Sequence, residues 1–324
     1  MLSHLRNLET QRLRNSKKMN EIKLFCPATI ANLSCGFDVL GLCLATQGDE
    51  MIVRKSKEKG VRITKIVGAD LPLETENNVA GVAALAMLEE VETEFGFEIE
   101  IYKHIKAGSG IGSSAASSAG AVFGINELLG RPFTRKELVK FAMQGEKLAS
   151  GNAHADNVAP ALLGGFTLVR SSNPLDIIKI ESPSELYATV VHPQIELKTS
   201  DARSVLKQTV SLKSAITQWG NVGGLVAGLY TQDYELIGRS LHDEIIEPVR
   251  SMLIPGFDLI KQTAYENGAL GSGISGSGPS IFALSKGKEN ADKIAKAMSA
   301  VYEEMDLPYE IHVSKVNDEG MKII

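Results

Sequence analysis

The feature that most constrains this chain is a glycine-rich loop between a predicted strand and an alanine-rich predicted helix. The loop and the start of the helix span residues 106–116 and read K-A-G-S-G-I-G-S-S-A-A. Glycine allows the backbone to turn tightly and to approach a ligand closely. The following helix presents unpaired N–H groups and the positive end of its dipole, which together bind anions. The loop therefore predicts either a phosphate site or a tight turn into a buried helix.

The charges around this loop favour the phosphate site. No charged residue lies between Lys106 and Glu127, so the first turn of the helix lacks the acidic residue that commonly complements a helix dipole. A bound phosphate would fill that role. The segment is not a Walker A loop, because the pattern G-x-x-x-x-G-K-[ST] occurs nowhere in the chain.

A second glycine cluster, at 271–278, matches the pattern G-x-G-x-x-G but not its structural setting. It reads G-S-G-I-S-G-S-G and is followed by Pro279 and the apolar strand pattern S-I-F-A-L. A dinucleotide-binding loop opens a helix instead, so the sequence argues against NAD binding. The apolar residues on both sides also argue against a flexible linker. The cluster predicts a second anion-binding backbone turn or a tight hairpin.

Composition excludes several other classes of protein. With 34 Lys and Arg residues against 39 Asp and Glu residues, the formal net charge is −5, which is opposite to the basic excess that nucleic-acid binding requires. No run approaches the roughly 20 apolar residues of a membrane-spanning helix. Cys26, Cys35 and Cys43 lack C-x-x-C spacing, which predicts reduced thiols in a cytoplasmic protein rather than a zinc site or a disulfide framework.

The order of the predicted elements indicates an α+β protein with two domains. Strand and helix patterns mix without a regular βαβ repeat, and 324 residues are enough for two domains. We expect an N-terminal domain over 19–175 and a C-terminal domain over 176–324, divided within the polar, proline-containing stretch 171–184. Residues 1–18 are basic and polar without the apolar segment of a secretion signal, so we expect a disordered extension there.

Residue periodicity predicts helices around the glycine loops. Thr134 and Glu137 have the spacing of a capping box and predict a helix that runs through Ser150. The other helices with predicted bounds are 78–94, 113–129, 152–163 and 289–303.

The two glycine loops belong to a set of motifs that resembles the GHMP kinases, which include galactokinase, homoserine kinase and mevalonate kinase. Residues 106–116 are similar to the second motif of that family, G-[LI]-G-S-S-A, and residues 271–279 are similar to its third, G-x-x-x-S-G-S-G-P. Residues 27–38, P-A-T-I-A-N-L-S-C-G-F-D, resemble the first motif in the form that homoserine kinases carry. The resemblance extends from Asn20 to about Val316. It implies a two-domain α+β fold with a ferredoxin-like C-terminal domain, and ATP and Mg²⁺ as cofactors.

Three further segments resemble the homoserine kinases in particular. They are H-A-D-N-V-A-P at 154–160, K-T-S-D-A-R at 198–203 and E-P-V-R at 247–250. The implied reaction transfers the γ-phosphate of ATP to the hydroxyl of L-homoserine and gives O-phospho-L-homoserine in threonine biosynthesis. The alternatives are another GHMP kinase with a mevalonate-like substrate and a nucleotide-binding sensor without catalysis. The habit of the family also favours a homodimer, with neither a nucleic acid nor a membrane as partner.

The resemblance assigns the cofactors to particular residues. Ser114 and Glu146 are implied to hold Mg²⁺. Lys106 departs from the family, which usually has proline there, so the start of the loop is less constrained or Lys106 itself reaches a phosphate. The residues implied to bind ATP are Asn77, Asn78, Lys106, Ala107, Gly108, Ser109, Gly110, Ile111, Gly112, Ser113, Ser114, Ala115, Ala116, Gly276 and Gly278.

Homoserine carries an ammonium, a carboxylate and a hydroxyl, and the resemblance implies a partner for each group. The carboxylate of Asp38, together with Asn32, is implied to hold the ammonium through a charge-assisted hydrogen bond. Two arginines are implied to bind the carboxylate, because the guanidinium group pairs with it through two parallel hydrogen bonds. The residues implied to line the substrate pocket are Asn32, Asp38, His154, Thr199, Arg203 and Arg250.

The catalytic step leaves two alternatives open. Some relatives have an aspartate at the place of Asp156 that acts as a base, whereas in homoserine kinases the residue at the place of Asn157 is thought to orient the acceptor hydroxyl without a base. Phosphoryl transfer depends mostly on positioning and on charge neutralisation, so a strong base is optional. We therefore favour Asn157 as the positioning group.

Overall fold

The strands of the protein form two sheets. The computed structural model describes residues 19–195, 197 and 199–324. The strands are β1 Glu21–Ala31, β2 Leu40–Ser56, β3 Val61–Val67, β4 Gly96–Tyr102, β5 Phe166–Ser172, β6 Leu175–Ile180, β7 Leu186–Pro193, β8 Gly271–Ile274, β9 Ile281–Lys286, β10 Tyr309–Lys315 and β11 Lys322–Ile323. The first sheet has the order β11-β1-β2-β4-β3, with β5 and β6 extending it from β2, and the second has the order β10-β7-β9-β8.

Helices cover these sheets, and the mixture confirms the predicted α+β class. The α-helices are α1 Val79–Leu88, α2 Ser113–Leu128, α3 Arg135–Ser150, α4 Val158–Leu163, α5 Thr199–Ser204, α6 Leu212–Thr231, α7 Tyr234–Ser240, α8 Glu247–Arg250, α9 Phe257–Glu266 and α10 Lys288–Glu304. Short 3₁₀ turns lie at Thr75–Asn77 and Ser251–Leu253. Among the residues described, no helix is long and apolar enough to cross a membrane.

Helix α2 is the central element of the first half of the chain, and nearly all of its residues are buried. It lies between the β1–β2 hairpin on one side and helices α1 and α3 on the other. Small residues make this position possible. A Cβ atom on Gly124 would lie 2.5 Å from Cγ2 of Val53, and one on Gly120 would lie 2.7 Å from Sγ of Cys26. The run of Ala, Ser and Gly after the glycine-rich loop therefore reflects close packing against the sheet.

The second sheet has the strand order predicted for the C-terminal domain. Its four strands are antiparallel neighbours, and in chain order they run 4-1-3-2 across the sheet. Helix α10 connects β9 to β10, and its Ile294 and Met298 pack with Phe257 and Ile260 of α9 in one apolar cluster beside this sheet. This order is the ferredoxin-like arrangement.

The C-terminal end of the chain returns to the first sheet. Leu24 of β1 pairs with Ile323 of β11, and the backbone N–H of Met321 donates to the carbonyl of Ala161 at 2.8 Å. Strand β6 also pairs with β5 in the first sheet. All four strands of the second sheet therefore come from the part of the chain between β6 and β11. The predicted domain division after residue 175 stays a prediction.

Two predicted helices are shorter in the structure, and one prediction lies outside the described residues. Helix α1 ends at Leu88 instead of continuing to 94, because several glutamates follow and negative charge is unfavourable at a helix C-terminus. The predicted helix 152–163 begins only at Val158, since the residues before it turn into the pocket described below. The capping box at Thr134 and Glu137 is confirmed. The predicted disorder of 1–18 lies outside the residues that the structure describes.

Candidate active site

The loop between β4 and α2 has a backbone that only glycine adopts readily. Gly108, Gly110 and Gly112 have φ angles of 75°, 81° and 74°, in the left-handed region that favours glycine. A Cβ atom on Gly110 would lie 2.6 Å from the carbonyl oxygen of Gly278, and one on Gly112 would lie 2.1 Å from Oγ1 of Thr29. Two of these glycines are therefore required for close packing as well as for conformation.

Hydrogen bonds fix this loop between the other two sequence motifs. The backbone N–H of Thr29, in the first motif, donates to the carbonyl of Ile111 at 3.1 Å. The hydroxyl of Ser275, in the third motif, donates to the carbonyl of Gly110 at 2.8 Å. The structure thus brings together three motifs whose contacting residues are at least 82 positions apart in the chain.

The N-terminus of α2 keeps the features expected of an anion site. Gly112 is the N-cap residue and provides no side-chain cap, and the first turn contains no acidic residue. The hydroxyl of Ser113 donates to the carbonyl of Ile105 at 2.9 Å, so it does not cap the helix either. The free N–H groups and the helix dipole remain available for a phosphate.

A buried ion pair that the sequence analysis missed supports the start of the loop. Nζ of Lys103, at the end of β4, donates to a carboxylate oxygen of Asp49 in β2 and to the carbonyl of Ser113 at 2.9 Å. The other oxygen of Asp49 accepts the backbone N–H groups of His104 and Ile105 at 2.7 and 2.8 Å. Both side chains of the pair are almost fully buried. The pair therefore connects β2, the segment that enters the loop and the first turn of α2.

Glu146 and Ser114 provide a site suited to a cation. Burial raises the pKa of Glu146 to about 7, although a hydrogen bond with Ser114 and the charge of Lys103 oppose the rise. Atom Oε1 of Glu146 is buried and has no hydrogen-bond partner. The described residues contain no cluster of three or more His, Cys, Asp or Glu side chains that could hold a metal. This donor set fits Mg²⁺, which usually takes one or two carboxylates and completes its shell with water and phosphate oxygens.

Asp156 is a second buried acid in the same pocket. Its pKa is raised to about 7, first by burial and then by the negative charges of Asp38 and Glu146. The next residue, Asn157, begins helix α4, and its Oδ1 accepts the hydroxyl proton of Thr29 at 2.7 Å. Both candidate catalytic residues thus lie beside the glycine-rich loop.

Two predicted substrate residues form an ion pair with each other. Nη2 of Arg203 lies 2.9 Å from Oδ1 of Asp38, and both side chains are about one-third exposed. Nδ1 of His154 lies 3.7 Å from the same oxygen, while its Nε2 is buried without a partner. Burial lowers the pKa of His154, against the opposing effect of Asp38. The three residues form one charged cluster at the pocket.

Arg250 lies on the inner side of this cluster and is buried. Its Nε donates to the carbonyl of Ala202 at 2.8 Å. Burial, followed by the charge of Arg203, lowers the pKa of Arg250 to about 10. Both guanidinium groups lie over the ring of Phe37, at 5.4 Å for Arg203 and 5.0 Å for Arg250. Phe37 was not predicted as a site residue, although it lies between predicted residues in the first motif.

Asn32 connects the first and third motifs. Its Nδ2 donates to the carbonyl of Gly276 at 2.7 Å, and its Oδ1 accepts the backbone N–H of Asp38 at 3.0 Å. The side chain of Asn32 therefore positions Asp38, and its proposed contact with an ammonium stays a prediction. The backbone of Thr199 starts α5, but its side chain lies outside the described part of the structure.

Asn77 and Asn78, which the resemblance implies bind ATP, have different surroundings. Asn78 caps helix α1, with Oδ1 accepting the N–H of Ala80 at 3.0 Å and Nδ2 donating to the carbonyl of Pro72 at 2.8 Å. The neighbouring Asn77 is exposed. The structure accounts for Asn78 as a helix cap, and a nucleotide contact by either residue remains a prediction.

Lys106 contacts the second half of the chain. Its Nζ donates to Oε1 of Gln194, just after β7, at 2.6 Å. In this ligand-free structure the lysine that replaces the family's usual proline is therefore a polar link between the loop and the second sheet.

Comparisons with known proteins agree with this geometry. The family model for the GHMP kinases N terminal domain matches residues 77–165, and the model for the GHMP kinases C terminal region matches residues 225–304. The homoserine kinase of Chlorobium phaeobacteroides strain BS1 is 48% identical over 320 residues, with 94% of this chain and 100% of that protein covered.

Solved structures of kinases are also similar to this chain. The crystal structure of homoserine kinase from Cytophaga hutchinsonii is 53% identical, has a TM-score of 0.91, and is matched over 94% of this chain and 98% of that one. The crystal structure of L. major mevalonate kinase in complex with R-mevalonate is 18% identical with a TM-score of 0.64, over 92% of this chain and 95% of that one. At 18% identity, the similarity to mevalonate kinase shows a shared fold only.

The raised pKa of Glu146 predicts a pH-dependent loss of stability. Between the ordinary pKa of 4.5 and about 7, the unfolded chain releases a proton that the folded protein keeps, so the free energy of unfolding falls as pH rises. We expect Glu146→Gln to remove this dependence and to gain roughly 2–3 kcal/mol relative to wild type between pH 5 and 8.

Urea unfolding of both proteins across this pH range, with EDTA present, measures the difference. Both proteins are compared in an Asp156→Asn background, because the charge of Glu146 contributes to the raised pKa of Asp156, so the difference isolates Glu146. If the free energies of unfolding of the two proteins change with pH in parallel, the pKa of Glu146 is not raised and the prediction is wrong.

The ion pair below the loop predicts an effect of Asp49 on nucleotide affinity. Asp49→Asn keeps an oxygen for the two backbone N–H groups but leaves the ammonium of Lys103 buried without its counter-charge. We expect the start of the loop to shift and ADP to bind at least fivefold more weakly, as measured by titration calorimetry.

The control is Glu100→Gln, which breaks the ion pair of Arg54 and Glu100 on the same two strands but farther from the loop. Equal ADP affinities for Asp49→Asn and Glu100→Gln would contradict the prediction.

Proposed function

The chain belongs to the GHMP kinases and, within them, to the homoserine kinase family, and we propose that the pocket around Asp38, Arg203 and Arg250 binds L-homoserine for phosphorylation. The protein is an ATP-dependent kinase with the two-domain α+β fold of its family. Its reaction transfers the γ-phosphate of ATP to the hydroxyl of homoserine. Which residues bind each group is inferred from the geometry described above.

The observation that carries the substrate assignment is the cluster of one carboxylate and two guanidinium groups. Arg203 is paired with Asp38, and the guanidinium of Arg250 is buried beside them over the same aromatic ring. An amino acid brings both an ammonium and a carboxylate, so it offers Asp38 a cation and the arginines an anion. A mevalonate-like acid has no ammonium, so it would offer Asp38 no replacement partner when Arg203 turns to the carboxylate of the ligand.

The nucleotide phosphates are proposed to lie on the glycine-rich loop at the N-terminus of α2. The uncapped helix end, the three left-handed glycines and the absence of an acidic first turn support this position. Backbone N–H groups provide most of the contact, which explains how a chain with a net charge of −5 binds an anionic nucleotide. Lys106 adds a positive charge at the edge of the same loop.

Glu146 and Ser114 are proposed to hold Mg²⁺. A buried carboxylate with a raised pKa and an unpartnered oxygen is stabilised by a cation, which favours its ionised form. The ion, when bound, neutralises charge that develops on the phosphate oxygens. The hydroxyl of Ser114 supplies a neutral oxygen next to this carboxylate.

Asn157 is proposed to hold the acceptor hydroxyl in line with the γ-phosphate. The hydroxyl of Thr29 donates to its Oδ1, which fixes the amide and leaves Nδ2 to donate to a ligand. Asp156 is less suited to act as a strong base in the loaded enzyme. Burial is the largest cause of its raised pKa, and the charges of Asp38 and Glu146 add to it. A bound ammonium and Mg²⁺ would neutralise these two charges and so lower the pKa of Asp156.

Two copies of the chain are proposed to form a homodimer. Exposed large apolar side chains on helix α6, among them Leu212, Ile216, Trp219 and Tyr230, support this assembly.

Substrate specificity is tested by incubating the purified protein with Mg-ATP and homoserine, mevalonate, galactose or shikimate. We expect phosphorylation of homoserine at least 100-fold faster than of the other three alcohols. Asp38→Asn serves as the matched variant, because it keeps the size of the side chain and removes its charge. It should lower kcat/KM for homoserine more than kcat/KM for the other three alcohols. A wild-type protein that phosphorylates another alcohol as fast as homoserine would overturn the substrate assignment.

The catalytic roles predict an order of activities. Asp156→Asn should keep kcat within about tenfold of wild type, because a base is optional in phosphoryl transfer. Asn157→Leu should lower kcat by roughly 100-fold or more, because it removes the group that positions the hydroxyl. Steady-state kinetics at saturating homoserine measure both values, and the reverse order would show that Asp156 acts as the base.

A further inference from the structure

Three successive carbonyl groups of the glycine-rich loop accept hydrogen bonds from outside the loop. The carbonyl of Ser109 accepts the backbone N–H of Ser280 at 3.3 Å, and that of Gly110 accepts the hydroxyl of Ser275 at 2.8 Å. The next carbonyl, on Ile111, accepts a backbone N–H of the first motif at 3.1 Å. The first two contacts therefore come from the third motif and from Ser280, which directly follows it.

The direction of these carbonyls determines where the N–H groups of the loop point. In a planar trans peptide, the C=O of one residue and the N–H of the next point in opposite directions. The contacts made by carbonyls 109–111 therefore turn the N–H groups of Gly110, Ile111 and Gly112 away from the neighbouring motifs. Successive backbone N–H groups in a turn form a concave site for an anion. Hydrogen bonds to the carbonyls thus orient the N–H groups that are proposed to hold the nucleotide phosphates.

Ser280 is held by the second sheet. Its side chain is fully buried, and its Oγ lies 3.2 Å from Nδ1 of His192 in strand β7. The carbonyl of Ser280 accepts the backbone N–H of Ser275 at 2.9 Å. His192 is itself buried. The N–H group that holds the carbonyl of Ser109 is thus positioned from β7 through a side-chain hydrogen bond.

Packing alone does not account for a histidine at this place. Burial, followed by the positive charge of Lys106, lowers the pKa of His192 to about 4, so the ring is neutral near pH 7. Its second nitrogen, Nε2, is buried and has no hydrogen-bond partner among the described residues. A buried polar atom without a partner costs stability that an apolar side chain would not cost. The hydrogen bond with Ser280 is therefore the contact that distinguishes His192 from an apolar residue.

The end of β7 also contacts the first residue of the loop. Gln194 follows His192 by two residues, and its Oε1 accepts a hydrogen bond from Nζ of Lys106 at 2.6 Å. Residues two apart in an extended chain lie on the same side, which agrees with both contacts. The same strand end therefore supports the first half of the loop at two points.

We propose that His192 is a positioning residue for nucleotide binding, which holds Ser280 so that the peptide between Ser109 and Gly110 presents its N–H to the phosphates. His192 acts through Ser280 and does not touch the nucleotide. The inference rests on the proposed position of the phosphates on the glycine-rich loop. It gives the second sheet a part in nucleotide affinity, although none of the residues that the family resemblance implies for ATP lies in β7.

Titration calorimetry of the full chain with Mg-ADP tests this role. His192→Leu keeps apolar bulk and removes both ring nitrogens, which leaves the hydroxyl of Ser280 buried without this partner. We expect ADP to bind about fivefold more weakly or worse, whereas KM for homoserine should stay within about twofold of wild type. His192→Asn places an amide where Nδ1 lies and should restore ADP affinity to within about twofold of wild type. The control is His312→Leu, which changes a histidine of β10 whose ring contacts Glu310 and should leave ADP binding unchanged.

A double-mutant cycle tests the route through Ser280. Ser280→Ala removes the hydroxyl that His192 contacts but keeps the backbone N–H that donates to Ser109. Because both changes break the same hydrogen bond, adding His192→Leu to Ser280→Ala should weaken ADP binding no further. Additive losses of affinity would show that His192 does not act through Ser280 and would contradict the inference.

Thermal unfolding of each variant separates positioning from support of the fold. A histidine that only supports the fold would lower the unfolding temperature of His192→Leu and leave the ADP affinity of the folded protein unchanged. Equal ADP affinities for wild type and His192→Leu, or an affinity of His192→Asn as low as that of His192→Leu, would therefore overturn the inference. A wild-type protein that fails to bind ADP would instead overturn the proposed position of the phosphates, on which the inference rests.

Discussion

Close backbone contact among three distant stretches of chain is the constraint on which the active site depends. A Cβ atom at Gly110 or Gly112 would collide with the third motif or with Thr29, so the three motifs could not meet if these glycines carried side chains. The same lack of side chains leaves the N–H groups at the start of α2 uncovered. The same glycines therefore allow the two halves of the chain to pack together and leave the helix end open to an anion.

The charges of the pocket follow from that packing. Glu146 and Asp156 are buried in one site, and the pKa of each is raised to about 7. In the same pocket, Asp38 is paired with Arg203. The pocket thus keeps Glu146 and Asp156 in an environment that disfavours their ionised forms. A cation that enters the pocket relieves this cost, which adds to its affinity.

The sequence predicted the features that depend on local pattern. The glycine-rich loop, the helix at Ser113–Leu128 and the capping box at Thr134 are all recognisable within a few adjacent residues. The ion pair of Asp49 and Lys103 was not predicted, because it depends on the register of β2 against β4 and on burial of both side chains.

Contacts between residues that are far apart in the chain could not be predicted from the sequence either. Nothing local shows that Asp38 and Arg203 contact each other across 165 residues of chain, or that Asn78 is used as a helix cap. The motif resemblance placed these residues in one pocket but could not distinguish a ligand contact from a contact within the protein.

The return of the chain end to the first sheet has a consequence for the order of folding during synthesis. Residues 321–323 pair with α4 and β1, although β1 leaves the ribosome about 300 residues earlier. The edge of the first sheet beside β1 therefore stays open until residues 321–323 have been synthesised. The first sheet therefore begins to be synthesised before the second sheet but receives its last strand, β11, after it.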